Sequence, residues 1–201
     1  MSAPLRRAVT PHGTSVVTDP WIDTDPVHDD LRAAKALVYD PGGFVCSRPL
    51  PERESADYCA HSFLVNGLSV RFRTGRTTPT KIGQFVTLWA RSESGPIRPL
   101  NTGDAVDLVV ISTRDARHFG QFVFPLEALR ERGIVASNHS GGKRGFRVYP
   151  PWVTTASRQA ITTQAWQVGY FLSVDDGMPL DITRTRELYG VANRLPAQSR
   201  S

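Results

Sequence analysis

The sequence contains one four-residue motif twice, as Gly83-Gln84-Phe85-Val86 and Gly120-Gln121-Phe122-Val123, each time at the start of an apolar run. Such runs are typical of β-strands that are shielded from water. A glutamine in a strand of this kind needs buried hydrogen-bond partners, because an unpaired buried amide is costly. Gln84 and Gln121 therefore belong either to a polar core or to a functional site. Since the flanking segments differ, we expect two neighbouring strands, whose amides could share one buried cluster, rather than an internal duplication.

A β-hairpin is predicted around Asn66-Gly67, which separates two short apolar runs at 60–65 and 68–74. This dipeptide is the strongest short-range signal for a two-residue hairpin turn. In the second run, apolar residues alternate with Arg71 and Arg73, so one face of the strand is apolar and the other carries guanidinium groups. That charged face could lie against water or against phosphate.

The remaining periodicity alternates helices with strands. Apolar spacing and Gly/Pro punctuation predict a helix over 29–39, strands over 81–89, 104–112 and 118–124, a helix over 125–132, a strand over 145–149 and a closing helix over 156–172. Asp107 would be embedded in the strand 104–112, and the closing helix would bury Ile161, Ala165, Val168 and Leu172. This order predicts a mixed sheet flanked by helices, in the α+β or α/β class.

The 201 residues are enough for one domain with a substantial core. Residues 1–27 and 175–201 are short on large apolar residues, so we expect an extended or mobile N-terminal arm and C-terminal tail around a single domain at 28–174. No stretch approaches the roughly 20 apolar residues of a membrane span, and the N-terminus lacks the apolar stretch of a secretory signal. We therefore expect a cytoplasmic protein without membrane insertion.

Lysine is rare in this basic chain. The net charge is +5, and of 24 basic residues only Lys35, Lys81 and Lys143 are lysines. A compact ammonium differs from a guanidinium in geometry and in a pKa that can be tuned. Lys81 and Lys143 lie in the two most distinctive segments of the sequence, which favours a specific need for an ammonium there; chance retention is the alternative.

Four long motifs identify a family resemblance: Phe72-Arg73 followed by Thr77 to Trp89, the strand from Asp107 to Ser112, Phe119 to Pro125, and Lys143 to Trp152. Together they resemble the MepB family, which in some bacteria is encoded beside a multidrug efflux pump and its repressor. The resemblance covers about residues 50–172. It implies a fold similar to the restriction-endonuclease-like sheet of the PD-(D/E)xK nucleases and tRNA-splicing endonucleases, and it implies no settled biochemical activity.

A nuclease of that type holds Mg²⁺ with an acid on one strand and a second acid two residues before a lysine on the next. Asp107 fits the first position and Glu54 an upstream acid, but Gln121 stands where the second acid is required and a valine stands where the lysine is required. Lys81 or Lys143 could reach in from another element. Glu54, Lys81, Asp107 and Gln121 are thus the catalytic candidates for hydrolysis of a phosphodiester or phosphate ester. The alternative for Asp107 is a structural aspartate with satisfied hydrogen bonds.

Binding of nucleic acid without cleavage requires fewer specific residues than hydrolysis does. The candidate residues are cations for phosphates, a ring for base stacking and a polar amide: Arg73, Lys81, Lys143, Arg144, Arg147, Trp152 and Gln84. In the opposite interpretation the arginines pair with surface acids and the tryptophan lies in the core. Two further hypotheses are a small-molecule or nucleotide enzyme with a closed polar pocket and an accessory protein of a drug-response system. Apart from Mg²⁺ for a nuclease, no motif indicates a cofactor.

Overall fold

The computed structural model describes residues 21, 27–52, 57–91, 95–138, 140–174 and 179–190. Its strands are β1 (Leu50–Pro51), β2 (His61–Val65), β3 (Leu68–Thr74), β4 (Arg76–Thr78), β5 (Lys81–Thr87), β6 (Trp89–Arg91), β7 (Ile97–Pro99), β8 (Leu108–Arg114), β9 (Phe119–Pro125), β10 (Gly145–Val148) and β11 (Phe171–Ser173). Its helices are α1 (Asp29–Ala34), α2 (Asp40–Gly42), α3 (Leu126–Glu131), α4 (Arg158–Gln167) and α5 (Ile182–Leu188). A π-helical turn, Lys35–Tyr39, joins α1 to α2, so the predicted first helix is confirmed.

The large sheet has six strands in the order β1-β2-β3-β8-β9-β11. The pairing of β3 with β8 is parallel and the other pairings are antiparallel. The predicted hairpin is confirmed, with Asn66-Gly67 between β2 and β3. Helices lie on both faces of this sheet, which confirms a mixed α+β architecture.

The central strand β8 is buried on both faces, which explains its near-continuous apolar sequence. On one face Val110 packs with Leu31 of α1 and with Leu188 of α5. On the other face Val109 packs with Leu129 of α3 and with the small sheet. The sheet therefore separates two apolar cores.

The small sheet has the order β10-β5-β4. Its buried side carries Gln84, Val86, Phe146 and Val148, which face the second core. Gln84 is thus in the small sheet, whereas Gln121 lies on β9 of the large sheet. The expectation that the two glutamine-bearing strands are neighbours is wrong, because β5 pairs with β10 and β4, whereas β9 pairs with β8 and β11.

Both copies of the repeated motif use their glycine in the same way. A Cβ at Gly83 would lie 2.6 Å from Cδ1 of Tyr149, and a Cβ at Gly120 would collide with the ring of Phe171. In each case an aromatic ring of the neighbouring chain segment occupies the space above the glycine. In two separate sheets, therefore, the glycine of the motif makes room for an aromatic ring.

The closing helix is shorter than predicted. It ends at Gln167, continues as a 3₁₀ turn over Val168–Tyr170 and gives way to β11. Phe171 pairs with Phe122 of β9, so long-range strand pairing outweighs the helical pattern there. Of the four residues predicted to share the buried face, Leu172 is buried, but Ile161 and Val168 are 51% and 37% exposed, and the helix buries Ala160 and Gln167 instead.

Two further boundaries differ from expectation. Asp107 precedes β8 rather than lying within it. The core extends beyond residue 174, because Leu188 and Tyr189, at the end of α5, are buried in it. The segment expected as a mobile tail therefore includes a packed helix.

Candidate functional site

A cleft of about 840 Å³ lies between α4 and the small sheet. Four cationic residues line it, from separate parts of the chain: Lys81 at the start of β5, Arg132 after α3, Lys143 before β10 and Arg147 within β10. Among the described residues that line the cleft, none is an aspartate or a glutamate. The cleft is therefore a site of concentrated positive charge.

A buried amide fixes α4 beside β10. Nε2 of Gln167 donates to the carbonyl oxygen of Arg147 at 2.9 Å, and Oε1 of Gln167 accepts from the backbone nitrogen of Tyr149 at 2.9 Å. The side chain thus takes the place of a further strand on the edge of β10. Gln164 adds bonds to the carbonyl oxygens of Pro150 and Val153 at 3.0 and 2.8 Å. Two glutamines of α4 thus bind the helix to β10 and to the segment that follows β10.

Arg147 is the most constrained cation of the cleft. Its guanidinium donates to Oγ1 of Thr78 at 2.6 Å and to the carbonyl oxygen of Gly83 at 3.1 Å, and it lies 5.8 Å from the ring centre of Phe85. None of these partners carries a negative charge, and no carboxylate of the described chain pairs with Arg147. The group is oriented while its charge remains available to an anion.

The two lysines of the distinctive segments reach the same cleft. Lys81 and Lys143 are both exposed, and the backbone nitrogen of Lys143 donates to the carbonyl oxygen of Ile134 at 2.8 Å. Lys35, the third lysine, instead pairs with Asp40 at 2.7 Å. The two lysines that the sequence singles out therefore differ in environment from the third.

Arg132 is a cleft residue that the sequence did not reveal. It follows the last residue of α3, and its guanidinium carbon lies 5.3 Å from the ring centre of Trp166 on α4. Nothing in its local sequence distinguishes it from the other arginines of the chain. Only the packing of α3 and α4 brings it to the cleft.

The prediction that Arg73 contacts a phosphate needs correction, because its side chain is closed to solvent. Its side chain is 1% exposed and donates to Oε2 of Glu52 at 2.5 Å, while Arg71 binds the other oxygen of the same carboxylate. Burial lowers the pKa of Arg73, and the charge of Glu52 opposes that shift. Both arginines of the predicted cationic face of β3 therefore share one carboxylate of the fold, and Arg73 is closed to solvent.

The two glutamines belong to different polar clusters. Nε2 of Gln84 donates to the carbonyl oxygen of Arg114 at 2.7 Å. Oε1 of Gln121 accepts from the hydroxyl of Tyr189 at 3.2 Å, and that hydroxyl lies 3.4 Å from the hydroxyl of Tyr39. Burial raises the pKa of both phenols. Gln121 thus serves a buried core cluster, and the prediction of a shared cluster with Gln84 is wrong.

The predicted catalytic set does not assemble in the part of the chain that the structure describes. Asp107 is exposed and accepts from the backbone nitrogen of Ser69 at 2.7 Å. Gln121 pairs with Ser112, five residues further along, which places it roughly 16 Å away at the usual strand rise. Glu54 lies outside the described residues.

Within the described ranges, no group of three His, Cys, Asp or Glu side chains is placed to hold a metal ion. The Mg²⁺ expected for a nuclease stays a prediction, because this cation often takes only one or two carboxylate ligands from a protein.

The remaining candidates lie outside the lining of the cleft. Trp152 is half-buried, stacked on His118 with ring centres 5.0 Å apart and edge-on to Phe171 at 5.5 Å. Arg144 is exposed, and its carbonyl oxygen accepts from the backbone nitrogen of Leu88 at 2.9 Å. Trp152 therefore has a packing role, and a binding role for Arg144 stays a prediction.

No helix in the described part of the chain combines the length and apolar character needed to cross a membrane.

Comparison with known proteins supports the family and a part of the fold. The crystal structure of MepB is 35% identical to this chain, covering 64% of this chain and 86% of its own, with a TM-score of 0.61. The structure of a bacterial homing endonuclease is 16% identical, covering 70% and 84%, with a TM-score of 0.37. That likeness is too weak to carry an argument, so the restriction-endonuclease-like core stays a prediction. A search of curated proteins finds no match. The family model described as MepB-like matches residues 52–173, and the chain therefore belongs to the MepB-like family.

Proposed function

We propose that this MepB-like protein binds nucleic acid through the cleft between α4 and the small sheet. The observation that carries the proposal is the convergence of Lys81, Arg132, Lys143 and Arg147 on one cleft whose described lining contains no acid. Phosphate contacts supply most of the affinity of a protein for nucleic acid without regard to base sequence. Four neighbouring cations that form no ion pair with a carboxylate of the described residues suit that purpose.

The N-terminus of α4 adds to the positive potential. Ser157 caps this ten-residue helix by accepting from the backbone nitrogen of Ala160 at 3.2 Å, and both residues line the cleft. The first turn contains no acidic residue. The positive end of a helix favours anions such as phosphate.

Aromatic side chains in the cleft favour a nucleic-acid ligand over inorganic phosphate. Tyr149 and Trp166 line the same cleft as the cations. Rings beside phosphate-binding cations are the combination that proteins use to hold both the backbone and the bases. We therefore favour a ligand that carries bases.

A titration of fluorescently labelled DNA and RNA oligonucleotides at several salt concentrations tests the proposal. We expect the logarithm of the association constant to fall by about 0.7 per decade of salt for each single-strand phosphate contact. Lys143→Ala should weaken binding to every sequence and reduce that slope by about the same 0.7. Affinity that is absent, or that does not change with salt, would contradict the proposal and favour a closed-pocket enzyme or an accessory protein.

The same oligonucleotides, incubated with Mg²⁺ or Mn²⁺, separate binding from hydrolysis. The proposal concerns binding alone, because Asp107 lies outside the lining of the cleft. Cleavage by the wild type that stops in Asp107→Ala would instead identify a nuclease centre at that carboxylate.

A further inference from the structure

The outer face of the small sheet carries a row of three side chains next to the cleft. Phe85 of β5 is opposite Arg147 of β10 on one side and opposite Arg76 of β4 on the other. The neighbouring residues Gln84 and Val86 are buried on the inner side, so Phe85 points to the outer side. We call Arg76, Phe85 and Arg147 the outer row.

The ring of Phe85 is held in a fixed position on this face. A Cβ at Gly145 would lie 2.7 Å from Cζ of Phe85, so the absence of a side chain there gives the ring its place. Tyr58 contacts the ring edge-on, with centres 6.3 Å apart, and Arg76 lies 5.4 Å from the ring centre of Tyr58. Phe85 nevertheless remains only half-buried.

Arg147 connects the outer row to the cleft, since it lines the cleft and also lies 5.8 Å from the ring centre of Phe85. Adjacent strands are about 4.8 Å apart, so Phe85 lies one strand spacing from the cleft wall. No carboxylate of the described chain pairs with either arginine of the row. A polyanion that leaves the cleft across β10 therefore meets an aromatic ring between two guanidinium groups.

We infer that Phe85 stacks on a base of single-stranded nucleic acid whose phosphates occupy the cleft, an inference that rests on the proposed function. Aromatic rings on an open sheet face accept the faces of bases without regard to sequence. Bases inside a duplex are stacked on one another and do not present their faces to such a ring. The outer row thus selects single strands over duplexes.

The test uses three labelled ligands of one length: a thymidine oligonucleotide, an abasic strand with the same phosphates and a duplex. We expect the wild type to bind the thymidine strand about 5- to 150-fold more tightly than the abasic strand, the range for one stacked base. Phe85→Leu keeps an apolar side chain over Gly145 and should lower this advantage by the share that the Phe85 ring supplies, while leaving affinity for the abasic strand unchanged. Phe85→Tyr keeps a ring and should retain the advantage.

Equal affinity of the wild type for the thymidine and abasic strands would overturn the stacking role, and this comparison needs no variant to fold. Unchanged discrimination in a folded Phe85→Leu would overturn it as well. Both results would leave the charged cleft intact as a binding site. Failure to bind any of the three ligands would overturn the proposed function together with this inference.

Discussion

The ring of Tyr149 occupies the space that a side chain at Gly83 would require. A Cβ at Gly83 would lie 2.6 Å from Cδ1 of Tyr149 and 2.8 Å from the carbonyl oxygen of Val148. Gly83 also has a φ of +78°, which other residues rarely adopt. Because Tyr149 lines the cleft and Lys81 is two residues away, this glycine sets the geometry of the binding site.

Substitution of Gly83 by alanine should therefore destabilise the protein more than strain at positive φ alone. The matched control is Gly43→Ala, where φ is +71° and no atom lies within 4 Å of the added Cβ. We expect a loss of about 1 kcal/mol for Gly43→Ala and roughly 1–3 kcal/mol more for Gly83→Ala because of overpacking. Urea denaturation measures both; equal losses would show that Tyr149 moves aside freely.

Glu52→Gln should be strongly destabilising, because it leaves the buried charge of Arg73 without its acidic partner. Removal of one member of a buried pair costs roughly 3–5 kcal/mol, and we expect the lower end, about 3 kcal/mol, since Glu52 keeps some contact with solvent. The control is Glu127→Gln, which breaks the exposed pair with Arg130 and should leave the denaturation midpoint unchanged. Similar midpoints for the two variants would contradict the buried pairing.

The buried phenols predict a loss of stability in alkali. Burial raises the pKa of Tyr39 and Tyr189 above the ordinary value of 10.0, so the folded state keeps both phenols neutral while the unfolded chain ionises them. Their contribution is complete below about pH 10 and declines as the pH rises above it. Tyr189→Phe should lose about 1 kcal/mol at neutral pH with the hydrogen bond to Gln121.

Above pH 10 the melting temperature of Tyr189→Phe should fall less steeply than that of the wild type, because one buried ionisable group is gone. Parallel profiles of melting temperature against pH would show that these phenols do not govern the alkaline transition.

Local signals in the sequence predict much of the fold. Asn66-Gly67 marks its hairpin, and Gly43, with φ at +71°, caps the first helical segment, which ends at Gly42, three residues beyond the predicted end at 39. Which strands and which charges pair with one another is harder to predict from the sequence, because such pairing depends on residues far apart in the chain. Phe171 joins a strand because it pairs with β9, and Arg73 is paired with a carboxylate 21 positions away.

The candidate site, too, is only partly predictable from the sequence. The scarcity of lysine singles out Lys81 and Lys143, and the structure brings both to one cleft. Arg132 carries no comparable signal among so many arginines, so only its packing near Trp166 reveals it. Residue type thus indicates charge, whereas tertiary packing decides which charges remain available.

The salt dependence of oligonucleotide binding by single lysine variants tests the central claim most directly. Lys81→Ala, Lys143→Ala and Lys35→Ala each lower the net charge of +5 by one, but Lys35 pairs with Asp40 and does not line the cleft. We predict that each cleft variant reduces the slope of log K against log salt by about 0.7 for a single strand, and that Lys35→Ala leaves it unchanged. The same slope for all three variants and the wild type would contradict a nucleic-acid site in the cleft.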